Sequence, residues 1–351
     1  MSAAVSIALS DPQFEKVTSP SAFHRWAARL ILDERDVPFV RLMVVSTVVM
    51  FPLALLLYAK FHWLLALGYI AVNFFVFVDR YILMLHNTSH RVLFKPKWRF
   101  LNHYIPWVLG PIFGETPGSY FAHHVGMHHP ENNLPEDLSS TMRFERDNFW
   151  HFCRYLFRFL FLGIFELNAY LFRKKRGKIA RRFIVGELSF YALVAALMFV
   201  NAPATVVVLV VPVIAIRSLM MCGNWGQHAF IDASQPANCY LNSITCINTR
   251  YNRRCFNDGY HIGHHIKGNR HWTEMPMDFE TNLALYAKEG AIVFEGIDFF
   301  QVWFLLMGRR YEKLASHYVS IDGRKPSRNE IVKLLHERTR PIAPALTLPC
   351  A

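Results

Sequence analysis

The sequence predicts an all-α integral membrane protein with four transmembrane helices in two hairpins and a helical cap on the cytoplasmic side. Two observations support this prediction. Four long apolar stretches occur in two closely spaced pairs, and most of the basic residues lie outside these pairs. Each stretch is about as long as a helix needs to cross roughly 30 Å of hydrocarbon. We treat the chain, 1–351, as a single domain, because no internal repeat or low-complexity tract divides it.

The apolar stretches define the two hairpins. The predicted spans are, in chain order, about 42–58, 61–78, 183–200 and 204–222. The first two spans carry no charged residue, and the other two carry one each, Glu187 and Arg217. A large soluble protein could bury four such helices, but two closely joined pairs of apolar runs fit a membrane protein better.

Basic residues set the predicted orientation. Seven Lys and Arg residues lie within 173–182, directly before the third span, whereas the two hairpin linkers contain only Lys60. Because positive charge is retained on the cytoplasmic side, both termini and the long middle segment are expected there. A net charge of +12 can indicate nucleic-acid binding. Basic clusters beside a span are more typical of contact with anionic lipid headgroups, so no nucleic-acid partner is expected.

Two further apolar stretches differ from the spans because they contain charged residues. The segment 150–172 is strongly aromatic and has Arg158 and Glu166 at near-helical spacing. The segment 291–307 is apolar but interrupted by Glu295 and Asp298. Both patterns predict amphipathic segments in the membrane interface rather than additional spans.

The uneven distribution of the 17 histidines is the main functional signal. The grouped histidines are His86 and His90; His124, His128 and His129; and His261, His264 and His265, with His228 alone just after the fourth span. Residues three or four positions apart share one face of an α-helix, so rings within each group can reach toward a common point. Because neutral imidazole is the commonest side-chain metal ligand, the nine histidines predict a metal site.

The number and spacing of the histidines favour two metal ions. On an α-helix, His124 and His128 would converge while His129 turns toward a neighbouring point, and His261 would pair with His264 or His265. A structural zinc takes four ligands and a catalytic zinc usually three. Nine histidines therefore suit two ions with four or five protein ligands each. Imidazole alone leaves the metal open among zinc, copper, iron and nickel.

Three further residues belong to the predicted site. Asn224 lies four residues before His228. Asp79 lies seven residues before His86, on about the same helix face, where its carboxylate could orient the His86 ring or pair with a basic neighbour. His123 could orient a ligand or replace its neighbour His124. The histidines outside the groups are interpreted as surface or packing residues.

The histidine pattern resembles that of the membrane fatty-acid desaturase and hydroxylase superfamily. The resemblance rests on three boxes, His86-Asn-Thr-Ser-His90, His124-Val-Gly-Met-His128-His129 and His261-Ile-Gly-His264-His265, and on their order among the spans over roughly residues 40–280. It implies a single desaturase-like membrane domain with a non-haem centre of two iron ions and with O2 as co-substrate. It also implies an external electron donor, which could be a ferredoxin, a rubredoxin or a cytochrome b5.

The same resemblance extends to the residues after the fourth span. It implies that His228 is a ligand and that Asn224 is a weak or water-mediated one. The element Asn224-Trp-Gly-Gln-His228 and the second box are also similar to those of alkane hydroxylases, whereas Gly259-Tyr260-His261 is more similar to desaturases. A small group of desaturase-like enzymes converts free fatty acids to terminal alkenes.

The resemblance therefore predicts a desaturase-type oxidoreductase that acts on a fatty-acyl chain in the bilayer. Decarboxylation to a terminal alkene and terminal hydroxylation stay open as alternatives. A membrane metal transporter would more naturally carry ligands inside its spans, which here are nearly free of ionisable groups. A zinc hydrolase would need an acidic residue within a box, and no box contains one.

Overall fold

The fold is mainly helical, as predicted. The computed structural model describes residues 7–342. Four helices are long and apolar enough to cross a membrane: α1 (Glu34–Ala59), α2 (Trp63–His90), α3 (Phe149–Arg173) and α4 (Gly177–Gln227). The prediction of a helical membrane protein is confirmed. The chain ends, which the sequence places in the cytoplasm, fall in 1–6 and 343–351 and lie outside the described residues.

The predicted spans lie within α1, α2 and α4. Helix α4 has 51 residues and contains both the third and the fourth span. It bends at Asn201, whose backbone is not helical (φ −157°, ψ 95°). The Asn201 side-chain amide donates to the carbonyl oxygen of Tyr58, at a distance of 3.2 Å. The second hairpin therefore turns at a bend that is hydrogen-bonded to the turn of the first hairpin.

Helix α3 corresponds to the segment predicted in the membrane interface. Its length and composition also satisfy the requirements for a span. Phe157, Phe161 and Phe165 are each more than half exposed, whereas Arg158 and Glu166 pair with each other at 2.9 Å. An apolar face beside an ion-paired polar group is the arrangement of an interfacial helix, and the interfacial position stays a prediction.

The outer surfaces of the long helices are apolar. Val48, Leu64, Phe75 and Phe199 are between 66% and 94% exposed. Exposed apolar patches of this kind are rare on monomeric soluble proteins and typical of surfaces that contact a partner or a membrane. Helices can enter lipid because they satisfy their backbone hydrogen bonds internally.

The remaining elements are short. The helices and helical turns are Ala22–Leu30, Pro96–His103, Ile105–Leu109, Gly110–Ile112, Ser119–His123, His124–His128, His129–Glu131, Cys239–Asn242, Arg250–Arg254, His261–Ile266, Trp272–Glu274, Met275–Thr281, Leu283–Glu289, Phe299–Met307, Tyr311–Ala315 and Arg328–Glu337. Strands β1 (Ile244–Ile247) and β2 (Ile292–Glu295) pair in parallel. Most of these elements form a cap at the end of the helices that carries the histidines.

Strand β2 corrects one prediction. It forms part of the stretch 291–307, which the sequence places at the membrane interface. Ile292, Val293 and Phe294 are at most 1% exposed and belong to the interior of the cap. The prediction is wrong for this strand, because Glu295 is the last residue of a buried strand and Asp298 caps the helix that follows, so the two do not form the polar face of one helix.

Two buried polar residues hold the cap segments together. Asp11 accepts hydrogen bonds from the Tyr260 hydroxyl at 2.7 Å and the Asn252 amide at 2.9 Å. The N-terminal segment therefore fixes the residues that precede His261. The Arg146 guanidinium donates to the carbonyl oxygen of Ala229 at 2.9 Å, which fixes the chain directly after His228.

The close packing of Gly226 leads to a first prediction. A Cβ atom at this position would lie 2.4 Å from the carbonyl oxygen of Phe299, so Gly226→Ala should force α4 away from the helix that begins there. Overpacking of this kind destabilises by about 1–3 kcal/mol, and thermal unfolding of the purified protein should occur at a lower temperature. Gly68→Ala is the matched control, because nothing lies within 4 Å of its added Cβ. Equal melting temperatures for the two variants would contradict the close contact.

Candidate metal centre

The structure brings all nine grouped histidines together in two adjacent sets. The first set contains His86, His90, His124, His129 and His264, and the second set contains His128, His228, His261 and His265. Within each set, one nitrogen from every ring lies within 4.8 Å of the corresponding nitrogens of the others. The sets therefore have five and four members, which is the division that the histidine count predicts for two ions.

The spacing of the ring nitrogens fits metal coordination. In the first set, the Nε2 atom of His264 lies 2.8 Å from Nε2 of both His86 and His129. In the second set, Nε2 of His261 lies 3.2 Å from His228 and 3.0 Å from His265. Imidazole nitrogens bind transition metals at about 2.0–2.1 Å, so two ligands at right angles lie about 3 Å apart. Each set can therefore surround one ion.

The second box divides its rings differently from the prediction. His124 and His129 belong to the first set, with their Nε2 atoms 3.1 Å apart, whereas His128 belongs to the second set. The reason is a π-helical turn over His124–His128, in which the His129 backbone N–H donates to the His124 carbonyl oxygen. A π turn brings residues five apart into line instead of residues four apart.

The other boxes follow ordinary helical spacing. His86 and His90 share the first set, as expected for residues four apart. In the third box, His261 pairs with His265 in the second set, and His264 turns to the first set. The second and third boxes therefore contribute to both sets and hold the two positions next to each other.

Three groups outside the boxes orient the rings. Asp258 lies 3.1 Å from Nδ1 of His86, and Asp137 lies 2.7 Å from Nδ1 of His128. The backbone carbonyl of Asn242 lies 2.8 Å from Nδ1 of His228. A hydrogen bond at Nδ1 fixes the tautomer and leaves the Nε2 lone pair for a metal. Asp137, Asp258 and Asn242 carry no signal of this role in the sequence, because these contacts depend on how segments pack.

The expected contact between Asp79 and His86 is not formed, which corrects that prediction. The Asp79 carboxylate pairs with the guanidinium of Arg254, the alternative that the sequence also allowed. The helix face that carries Asp79 turns toward the segment Arg250–Arg254. Asp258, three residues before His261 in the sequence, occupies the position expected for Asp79.

Asn224 and His123 both line the cavity beside the sets but belong to neither. The Asn224 amide nitrogen donates to the Ser139 carbonyl at 3.0 Å and to the Tyr155 hydroxyl at 2.8 Å. Only its oxygen is left for a weak or water-mediated contact. The His123 ring stacks parallel to that of His128, and its buried Nε2 has no hydrogen-bond partner among the described residues. His124, and not His123, therefore belongs to the first set.

Burial lowers the pKa of several rings of the site. Desolvation, reinforced by neighbouring imidazoles, lowers the pKa of His124, His261 and His264 well below the usual range. Burial and the nearby His128 lower the pKa of His228 to about 4. Since a histidine must be deprotonated to bind a metal, the site favours metal binding at neutral pH.

A largely apolar cavity lies beside the histidines. It has an empty volume of about 1370 Å³ when the open space at its mouth is included, and it reaches His86, His124, His128 and His261. Its apolar walls come from α2, α3 and α4, and include Ile82, Leu83, Ile164, Leu167, Leu219 and Met220. An apolar cavity with a few convergent polar groups is the usual form of a small-molecule site. This cavity can accept a long apolar chain and place one of its carbons near the ring nitrogens.

Comparison with known protein families gives a match. The family model described as "Fatty acid desaturase" matches residues 61–296, which is more than half of the chain. The matched region contains all three boxes and His228. No curated protein and no solved structure matches the chain.

The neutral histidines lead to a prediction about pH. Unfolded histidines bind protons below about pH 6.5, whereas His228 in the folded chain does so only near pH 4. The folded state therefore binds fewer protons between these values, and its stability falls as the pH falls. After removal of metal with a chelator, the melting temperature should be lower at pH 5 than at pH 7.5.

The matched control for this pH effect is His228→Gln, which removes one titrating ring and should reduce the difference between the two pH values. An identical pH dependence in the original protein and the variant would contradict the assignment of a neutral, buried His228.

Proposed function

Because this chain belongs to the fatty acid desaturase family, we propose that it is a di-iron enzyme that uses O2 to desaturate a fatty-acyl chain. Family membership makes it a membrane oxidoreductase of the desaturase and hydroxylase type that acts on fatty-acyl substrates. One observation supports the finer proposal. The apolar cavity ends at His86, His124, His128 and His261, which belong to two adjacent histidine sets.

Two irons fit the donors better than zinc. The first set offers five imidazoles and the second set four, which would hold two ions and leave room for O2. Oxidation of an unactivated C–H bond requires a cofactor with redox chemistry, and zinc has none. Enzymes of this family generally depend on iron. When bound, the irons would supply the activation of O2.

The protein residues would orient and shield this chemistry. Asp258, Asp137 and the Asn242 carbonyl hold three of the rings through their Nδ1 atoms. The walls formed by α2, α3 and α4 would align the acyl chain and exclude water. When the reacting carbon is held near the metal, the reaction becomes effectively intramolecular, and this can supply a large part of the rate enhancement. A separate redox protein, such as a ferredoxin, a rubredoxin or a cytochrome b5, would supply electrons.

Gly259 and Tyr260, which are similar to the corresponding residues of desaturases, have structural roles. A Cβ atom at Gly259 would lie 2.3 Å from the Cys246 carbonyl oxygen, and the Tyr260 hydroxyl donates to Asp11. The Gly259-Tyr260 pair therefore positions the third box and does not contact the cavity. The assignment of desaturation rests on membership of the family. Whether the product is an internal alkene, an alcohol or a terminal alkene is decided by which carbon of the chain lies nearest the histidines.

The metal proposal is tested by removing one ring. The purified protein should contain about two irons per chain. His264→Ala should lose iron and reduce turnover by at least about 100-fold, because His264 contacts two other rings of the first set. His103→Ala is the control, since His103 is exposed and lies outside both sets. Iron content and turnover are measured for both variants. Stoichiometric zinc without iron after anaerobic iron reconstitution, or equal losses in both variants, would count against the proposal.

The reaction is tested by product analysis. Cells that express the protein are extracted, and lipids and headspace are analysed by gas chromatography with mass detection. We expect an internal double bond in an acyl chain, absent from cells that express His264→Ala. A terminal alkene one carbon shorter than a supplied fatty acid would identify the decarboxylase instead, and a terminal alcohol would identify the hydroxylase. If no product forms and labelled O2 is not consumed with a matched donor, oxidation itself is refuted.

A further inference from the structure

We propose that an acidic one-electron redox protein docks on the surface that covers the first histidine set. We call this surface the donor face and define it by Val92, Pro130, Ile266, Lys267 and Gly268. The inference rests on the proposed function, because desaturation and hydroxylation both require two electrons from outside. It adds the place where these electrons enter and the surface chemistry of the protein that delivers them.

The histidines divide between two sides of the centre. His86, His124, His128 and His261 line the apolar cavity. His90 and His129 do not line the cavity, and both residues are partly exposed. The substrate would therefore approach from one side, while the other side of the first set faces the protein surface.

A single backbone segment, at Gly268, separates that side of the first set from the protein surface. A Cβ atom at Gly268 would lie 3.2 Å from the Cε1 atom of His90 and 3.3 Å from that of His129. The Gly268 backbone thus rests directly on both rings. His228 and His261 of the second set are at most 2% exposed. Because electron transfer slows steeply with distance, a partner at Gly268 reaches the first set by the shortest protein path on this side.

The surroundings of the donor face carry an excess of positive charge. Lys267 is exposed and has no ion pair among the described residues. Glu131, two residues after His129, pairs with Lys174 at 3.0 Å, which places the basic corner 173–182 beside the donor face. That corner has seven basic residues, and within 7–342 the carboxylates that pair with it are Glu131 and Glu136.

The opposite edge of the donor face is electrically balanced. Arg91 pairs with Asp33 and Asp36, and Arg270 pairs with Asp278. The excess positive charge therefore lies on the side of the corner 173–182. Such a field attracts an acidic partner and accelerates its association.

The centre of the donor face is apolar. Val92 is 62% exposed and Ile266 is 43% exposed, and both lie within two residues of a histidine of the sets. An apolar centre with a charged rim is the usual construction of a protein interface. Weak redox encounters need only a small interface of this kind.

The electrons that cross this face complete the balance of the reaction. In each turnover, two donor molecules are oxidised by one electron each. O2 accepts these two electrons and two from the C–H bonds, together with protons, and leaves as two waters while the chain becomes an alkene. In hydroxylation, one oxygen atom enters the chain and one water forms.

Charge reversal tests the docking site. The full-length iron-loaded protein is assayed with an acidic ferredoxin as the probe donor and, separately, with a small-molecule reductant and mediator. Lys267→Glu should raise the KM for ferredoxin about tenfold at low salt and leave turnover with the small reductant unchanged. The difference should shrink near 0.5 M salt, where the screening length falls to roughly 4 Å. Lys60→Glu, in the turn of the first hairpin far from the cap, is the matched control.

Each other outcome has a defined meaning. An unchanged KM in Lys267→Glu, or an equal rise in Lys60→Glu, would overturn the proposal. If Lys267→Glu and Lys175→Glu weaken binding to vesicles of anionic phospholipid but leave the ferredoxin KM unchanged, the face binds lipid and not a redox protein. Reduction of the iron by ferredoxin is also followed without O2. Fast reduction that depends on Lys267, without product, would refute the proposed oxidation and support the docking site.

Discussion

The convergence of nine imidazoles is the constraint on which the rest of this structure depends. Ring nitrogens that approach each other to about 3 Å in a buried site, such as those of His86 and His264, direct lone pairs or N–H groups at one another. Without a metal, few of these contacts can be good hydrogen bonds. The surrounding scaffold must therefore hold each ring in place, and a bound ion would turn an unfavourable arrangement into a favourable one.

Much of the cap can be understood as this scaffold. Buried carboxylates at positions 137 and 258 fix two rings, and Asp11 fixes the approach to the third box from a segment more than two hundred residues away. The close contact of Gly226 with Phe299 holds the end of α4, from which His228 projects. These contacts join chain segments that are far apart in sequence, so the site depends on the whole fold.

Irregular helices give the site its two positions. The π-helical turn at His124–His128 sends neighbouring histidines to different sets. A regular helix there would align His124 with His128, and one set would lose a ligand. The apolar cavity lies against one side of this centre, and the thin cover at Gly268 lies against the other. Substrate and electrons can thus reach the same centre without competing for one entrance.

The sequence by itself was enough to predict the membrane helices and to group the nine histidines as one metal site. Long apolar runs and helical spacing are local properties, so 42–58 and 204–222 fall inside long helices and His86 and His90 share a set. These features depend on hydrophobicity and on the geometry of one helix. The resemblance of the boxes to a known family added the expected metal and reaction.

Only the tertiary structure decided how the rings divide and what orients them. The sequence could not reveal the π turn, because that turn depends on the packing of neighbouring segments. For the same reason it left Asp79 open between the His86 ring and a basic neighbour, whereas in the structure Arg254 pairs with the Asp79 carboxylate and Asp258 reaches the ring from across the fold. Contacts between distant segments depend on packing in three dimensions, which the local pattern of a sequence does not contain.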